Sequence, residues 1–191
     1  MKRFQGLRSK QTGMLLVSSL LLLVVVTILS LSMFRSVGIQ EKIAGNIREK
    51  QRALHAAESA QQYAEWWLAS GTNATSAAVV CANLLNANLG QGQICSNKLA
   101  TAAGSVTAVP WQSAGVNIGV NYTPPNMTVT AASDAGTYVS PPRFYVSDLG
   151  GAATGQGEVY QIDAVGYGGD ATAVAVVEST FSVYVSSWSI G

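Results

Sequence analysis

The chain has 191 residues, room for one domain of ordinary size and an anchor, and no second domain is expected. Its formal net charge of +1 averages two unlike parts: residues 1–65 hold nine Lys or Arg against four acids, whereas residues 66–191 hold only Lys98 and Arg143 against six acids. A carboxy-terminal part so acidic and so poor in cations offers no footprint for phosphate backbones, which argues against direct nucleic-acid binding.

The strongest signal is the run from Met14 to Phe34, 21 residues without a charge. A bilayer core needs ~20 apolar residues, so a single membrane span over 14–34 is expected. Lys2, Arg3, Arg8 and Lys10 precede it without an acid, and a flank of that sign stays in the cytoplasm. The head is therefore expected on the far side, in the periplasm if the span sits in an inner membrane. An ordinary secretory signal has a shorter apolar region of ~7 to 15 residues and is cut beyond it. Ser30 and Ser32 offer an imitation of such a site. On the near side, Lys10-Gln11-Thr12-Gly13 directly before Met14 resembles the class of signal cut by prepilin peptidase, after the Gly and on the cytoplasmic face. Residues 1–13 then form a leader peptide, with Gly13 and Met14 flanking the cut. Gly, lacking Cβ, gives a protease access to the backbone there.

Beyond Arg35 apolar residues continue at Ile39, Ile43, Ile47, Leu54, Ala57, Ala64 and Leu68, close to the helical period and without a proline. Glu41, Lys42, Arg48, Glu49, Lys50 and Arg52 fall mostly off that stripe. A helix over 14–68 is predicted, about 80 Å long. Gly38 and Gly45 each cost roughly 1 kcal/mol relative to Ala. They mark either a stretch that loosens during assembly or a place of close packing.

Gln40-Glu41-Lys42-Ile43-Ala44-Gly45-Asn46, then Arg48, then Ala56-Ala57-Glu58-Ser59-Ala60, resembles the amino-terminal signature of the PilX family of type IV pilus minor pilins. The resemblance implies a structural subunit without enzymatic activity or cofactor, with Glu41, Gly45 and Asn46 serving assembly. It implies N-methylation of Met14 by prepilin peptidase, residence in the inner membrane before assembly, and then an extracellular place at the pilus tip. Implied partners are other minor pilins, the major pilin and a large tip adhesin, and the implied roles are pilus initiation, adhesion and twitching motility. One position departs from the pilin pattern: the fifth residue after the junction, usually Glu, is Ser18. Ser18 is accordingly an assembly residue in its own right, or a serine that bonds the preceding helical turn.

The head is expected over 69–191, where Gly, Ala, Ser, Thr, Asn and Val take over. Residues 69–105 read as irregular, or as irregular with one short helix. Cys81 and Cys95 lie there with no His nearby, and two thiolates alone cannot complete a zinc site. In an exported head they are expected to form a disulfide, whereas in the cytosol they would be buried thiols. Strands are predicted over 116–122, 127–131, 143–147, 158–166 and 172–185. A turn at Tyr167-Gly168-Gly169-Asp170 joins the last two, and Pro124-Pro125 and Pro141-Pro142 mark strand ends. The fold class is α+β and pilin-like, a long amino-terminal helix packed on an antiparallel sheet. Trp66, Trp67, Trp111 and Trp188 read as core or lid residues.

Catalytic chemistry is not evident. The single histidine, His55, lies in the charged helix with no nucleophile arranged around it. Gly150-Gly151 through Gly157 lacks phosphate-loop spacing, and Asp134, Asp148, Asp163 and Asp170 are too scattered for a calcium loop, so no metal site is assigned. The sequons at Asn73, Asn121 and Asn126 are read as chance. A minor pseudopilin of a type II secretion system shares the leader, span and helix, and remains the alternative. A tethered envelope enzyme or adhesin would explain the span but neither the Gly13-Met14 junction nor the helix signature.

Overall fold

The structure is a computed structural model that describes residues 12–81, 87–99, 111–113, 116–130, 136–153, 155 and 157–184. Residues 1–11 of the expected leader, Ala131, Asp134, Val185 and Trp188 lie outside them. The chain divides into two units, residues 1–45 and 46–191. One helix, α1 (Thr12–Ala69), contributes to both and passes Gly38 and Gly45 without interruption.

In the first unit the apolar residues between Met14 and Phe34 are exposed. Four of the five hydroxyl side chains among them turn back on their own helix: Ser18 Oγ donates to the Leu15 carbonyl at 3.0 Å, Ser19 to Leu16 at 2.9 Å, Thr27 to Val24 at 2.8 Å and Ser30 to Val26 at 2.8 Å. Hydroxyls satisfied within the helix leave a largely apolar exterior.

The second unit is a sheet against the rest of α1. The strands are β1 (Ile94–Cys95), β2 (Gln112–Ser113), β3 (Val116–Asn117), β4 (Val120–Asn121), β5 (Arg143–Gly151), β6 (Glu158–Tyr167) and β7 (Val174–Val183). The main sheet runs β1-β5-β6-β7, with β4 also on β5, while β2 and β3 pair separately. All its pairings are antiparallel except β1 on β5, so the sheet is mixed rather than wholly antiparallel. The expected strand over 116–122 is two short pieces. Gly119 adopts φ +101°, and a Cβ there would meet the Phe144 carbonyl at 3.0 Å, so the chain breaks direction where it crosses β5. No strand forms over 127–130, where the ladder reduces to one bridge between Val129 and Tyr138.

The core differs from the apolar stripe read in the sequence. On α1 the buried residues are Ala53, Ala56, Ala57, Ala60, Ala64 and Leu68, whereas Ile47 and Leu54 stay 53 % and 39 % exposed. Small side chains let the sheet approach closely. On β6, Tyr160, Ile162, Ala164 and Gly166 share the helix-facing side. A Cβ on Gly166 would overlap the Ala53 carbonyl oxygen and the Ala57 nitrogen. Trp111 is fully buried, Trp67 packs against the core from its margin, and Trp66 departs from expectation at 61 % exposed. An aromatic group at the far end of the helix, Tyr63 stacked on Tyr122 at 4.5 Å and tilted on Phe144 at 5.9 Å, seals the junction with β4 and β5.

The opposite face of the sheet buries Asp163 completely. Its Oδ1 accepts from Gln161 Nε2 at 3.0 Å, and its Oδ2 has no partner among the described residues. Tyr145 and Glu178 lie directly across from it on β5 and β7. Burial pushes its pKa up, Glu178 adds to this, and the Gln161 bond and Lys98 oppose it. The folded state therefore holds this proton more tightly than the unfolded chain does, and stability falls as pH rises from about 3.8 through the raised folded value. Asp163→Asn is expected to raise the melting temperature at pH 7 and to flatten its decline above pH 4. Thermal melts of the full chain in mild detergent across that range check it, and a lowered melting temperature at pH 7 would contradict it.

Candidate functional site

The chemistry of this chain lies in surfaces, and it builds along α1. The residues singled out for assembly are spread along it rather than gathered. Met14 is exposed at the start of the apolar run and Ser18 is occupied by its own helical turn. Glu41 is exposed, and among the described residues a Cβ on Gly38 or Gly45 would meet nothing within 4 Å. Asn46 joins Ile47, Lys50, Gln51 and Leu54 around a shallow hollow of about 320 Å³ whose wall is almost wholly apolar. It is an exposed apolar face beside the alanine stripe.

Within the same stretch of helix, charged residues that fall off the expected apolar stripe hold the head. Glu49 Oε2 accepts from the Gly169 backbone N–H at 2.6 Å, and its carboxylate pairs with Arg52 Nη1 at 2.9 Å. Arg52 Nη2 donates to the Thr137 carbonyl at 2.6 Å, and its guanidinium lies 4.5 Å over the Tyr138 ring. Lys50 Nζ donates to the Val174 carbonyl at 2.8 Å. The Gly169 N–H, helped by Arg52, holds the Glu49 carboxyl below its ordinary range despite partial burial. The sequence did carry a signal for this clamp: Glu49, Ala53, Ala56 and Ala60 follow one another at i, i+4, i+7 and i+11, which puts the acid in line with the stripe that meets the sheet. The clamp fits the expected β6–β7 turn, which Asp170 closes by accepting from the Thr172 N–H and hydroxyl, both at 2.7 Å.

The other end of the helix meets the cysteine loop. Cys81 and Cys95 form the expected disulfide, with Cα atoms 5.3 Å apart. Cys95 is buried in β1 and Cys81 is partly exposed, so the bond fastens the segment after the helix to the sheet edge. Tyr160 Oη donates to the Ala74 carbonyl at 2.6 Å and ties down the first part of the same segment. His55 is exposed with Nδ1 3.2 Å from Glu58, in keeping with a surface role. Among the described residues no three His, Cys, Asp or Glu gather as a metal would require.

The family description "PilX N-terminal" matches residues 12–61, and "Type IV pilus assembly protein PilX C-term" matches residues 82–183. No curated relative and no solved structure matches the chain.

Proposed function

The chain belongs to the PilX family of type IV pilus assembly proteins, whose members are structural and non-enzymatic, and from that membership we propose that it is a minor pilin standing at or near the pilus tip. The observation that carries this reading is the 14–34 segment. It is long and apolar enough to cross a membrane, and none of its most apolar window is buried by the chain itself. Such a surface is stable only in lipid or among like helices. The subunit waits in the inner membrane with its head in the periplasm, then slides into a filament core of the same polarity.

Prepilin peptidase removes residues 1–13 and methylates the Met14 amine. Mass spectrometry of the mature protein is expected to find methylated Met14 as its first residue. A start beyond Ser32, or an uncut chain in a peptidase-competent host, overturns the reading. Neighbouring pilins meet the exposed Ile47 and Leu54 face and the Glu41–Asn46 stretch.

The tip position rests on Ser18. A Glu five residues from the junction would neutralise the terminal amine of the subunit already in place, and a buried carboxylate is costly without such a partner. Ser18 carries no charge, and its hydroxyl is spent on Leu15. This subunit is therefore suited to stand first, with later subunits pairing with its amine. Other minor pilins, the major pilin and a large tip adhesin are its partners, and initiation, adhesion and twitching motility follow from the position. Immunogold labelling is expected at one filament end, and Ser18→Glu is expected to move label into the shaft. Label along the whole shaft of the unaltered protein would rule out the tip role. No observation favours the secretion pseudopilin over this reading.

A further inference from the structure

We propose that the outer edge of β7 is a docking site for an extended strand of another protein, one that places a Lys or Arg opposite Glu178. β7 pairs with β6 over ten residues in unbroken register. The Gly168 N–H donates to the Ala173 carbonyl, which makes 168 and 173 a hydrogen-bonded pair. By the alternation of an antiparallel ladder, the N–H and C=O groups of Val174, Val176, Glu178, Thr180 and Ser182 then point away from β6. Among the described residues, the one partner on that side is Lys50 Nζ on the Val174 carbonyl.

Free edges of this length are normally blunted by proline, lysine, a bulge or brevity. The other side of the sheet uses such devices: β1 and β4 are two residues each, and Pro141 and Pro142 stand before β5. β7 is Val-Ala-Val-Val-Glu-Ser-Thr-Phe-Ser-Val, with no proline and no bulge. An edge left long and unbulged beside one that is dismantled is suited to strand addition, in which main-chain bonds give affinity and alternate side chains give specificity.

Charge selects the occupant. Glu178 is the one ionisable side chain of β7, is exposed, and lies directly opposite the buried Asp163 on β6. Like charges across a ladder are unfavourable, and a cation on the next strand relieves them. A second copy of this chain paired through β7 brings another Glu178 to the same neighbourhood, so self-pairing is disfavoured and a foreign strand with a basic residue is favoured.

The test uses the full chain expressed from its own locus, with a photo-reactive phenylalanine analogue replacing Thr180 or Ser182 one at a time, and Leu149 on β5 as the control position. The expected products join both β7 positions to one segment of one other protein, at residues two apart, with Lys or Arg opposite Glu178. Glu178→Lys is expected to reduce the yield about tenfold while the Cys81–Cys95 bond and far-ultraviolet circular dichroism stay unchanged. Glu178→Gln loses a smaller part, and exchanging the partner's basic residue for Glu restores the product with Glu178→Lys. Scattered partner positions, products joining β7 to β7 of a second copy, no product, or a yield indifferent to Glu178→Lys would each overturn the proposal.

Discussion

Gly166→Val is expected to prevent the head from accumulating in folded form. A Cβ at this position overlaps the Ala53 carbonyl oxygen and the Ala57 nitrogen and comes within 2.9 Å of the Ala56 carbonyl carbon. These are main-chain atoms of a helix, so no rotamer change relieves the contact. Overpacking of side chains costs ~1 to 3 kcal/mol and backbone displacement more, so about 3 kcal/mol is the lower bound for Gly166→Ala. Adding the two methyl groups of valine brings the loss close to the whole stability of a typical domain, ~5 to 15 kcal/mol. Steady-state level and protease resistance of the full chain are the measurements. Gly90→Ala is the control, because a Cβ there meets nothing within 4 Å. Wild-type resistance in Gly166→Val would show that the sheet does not approach the helix this closely.

Loss of the disulfide is the second large effect. Closing a 15-residue loop restricts the unfolded chain by about 3 kcal/mol, or roughly 6 to 12 °C of melting temperature for a chain of this size. Cys81→Ser is expected to show this loss alone. Cys95→Ser is expected to lose about 1 to 3 kcal/mol more, because Cys95 is fully buried and the serine hydroxyl would be left without a partner. Melts of the full chain in mild detergent, with and without reductant, separate the two. Reduced wild type should match Cys81→Ser, and quantitative thiol labelling of the exported, unreduced protein would refute the bond.

Much of this architecture was legible in the sequence wherever the cause is local. The apolar run declares itself residue by residue, and α1 ends at Ala69 against an expected Leu68. β5, β6 and β7 start within two residues of their expected positions, because valine-rich alternation is bounded by glycine and proline. The misreadings concern long-range choices. Ile47 and Leu54 read as core by size, yet the sheet selects the alanine face, since only small residues allow the approach that Gly166 completes. The parallel pairing of β1 on β5 involves residues about fifty positions apart and two residues per partner, too little for any pattern to announce. Glu49, Lys50 and Arg52 read only as charges off the apolar stripe, because their partners are carbonyls and an amide of other segments, to which composition is blind. Of the assembly residues, Ser18 is the one whose alternative reading as a helix-bonded hydroxyl has a direct counterpart in the geometry.

The arrangement of that clamp bears on how the molecule carries tension. Within the four residues 49–52, three side chains reach three separate places on the head: the Gly169 amide, the Val174 carbonyl and the Thr137 carbonyl. Force transmitted along the helix would reach all three tethers within a single helical turn. Beyond them the alanine stripe meets the sheet through close apolar contact centred on Gly166, with Ser179 Oγ donating to Glu65 Oε1 at 3.5 Å farther along. The first turn of contact therefore holds the helix–head joint by direction, and the close-packed stripe behind it holds it by shape.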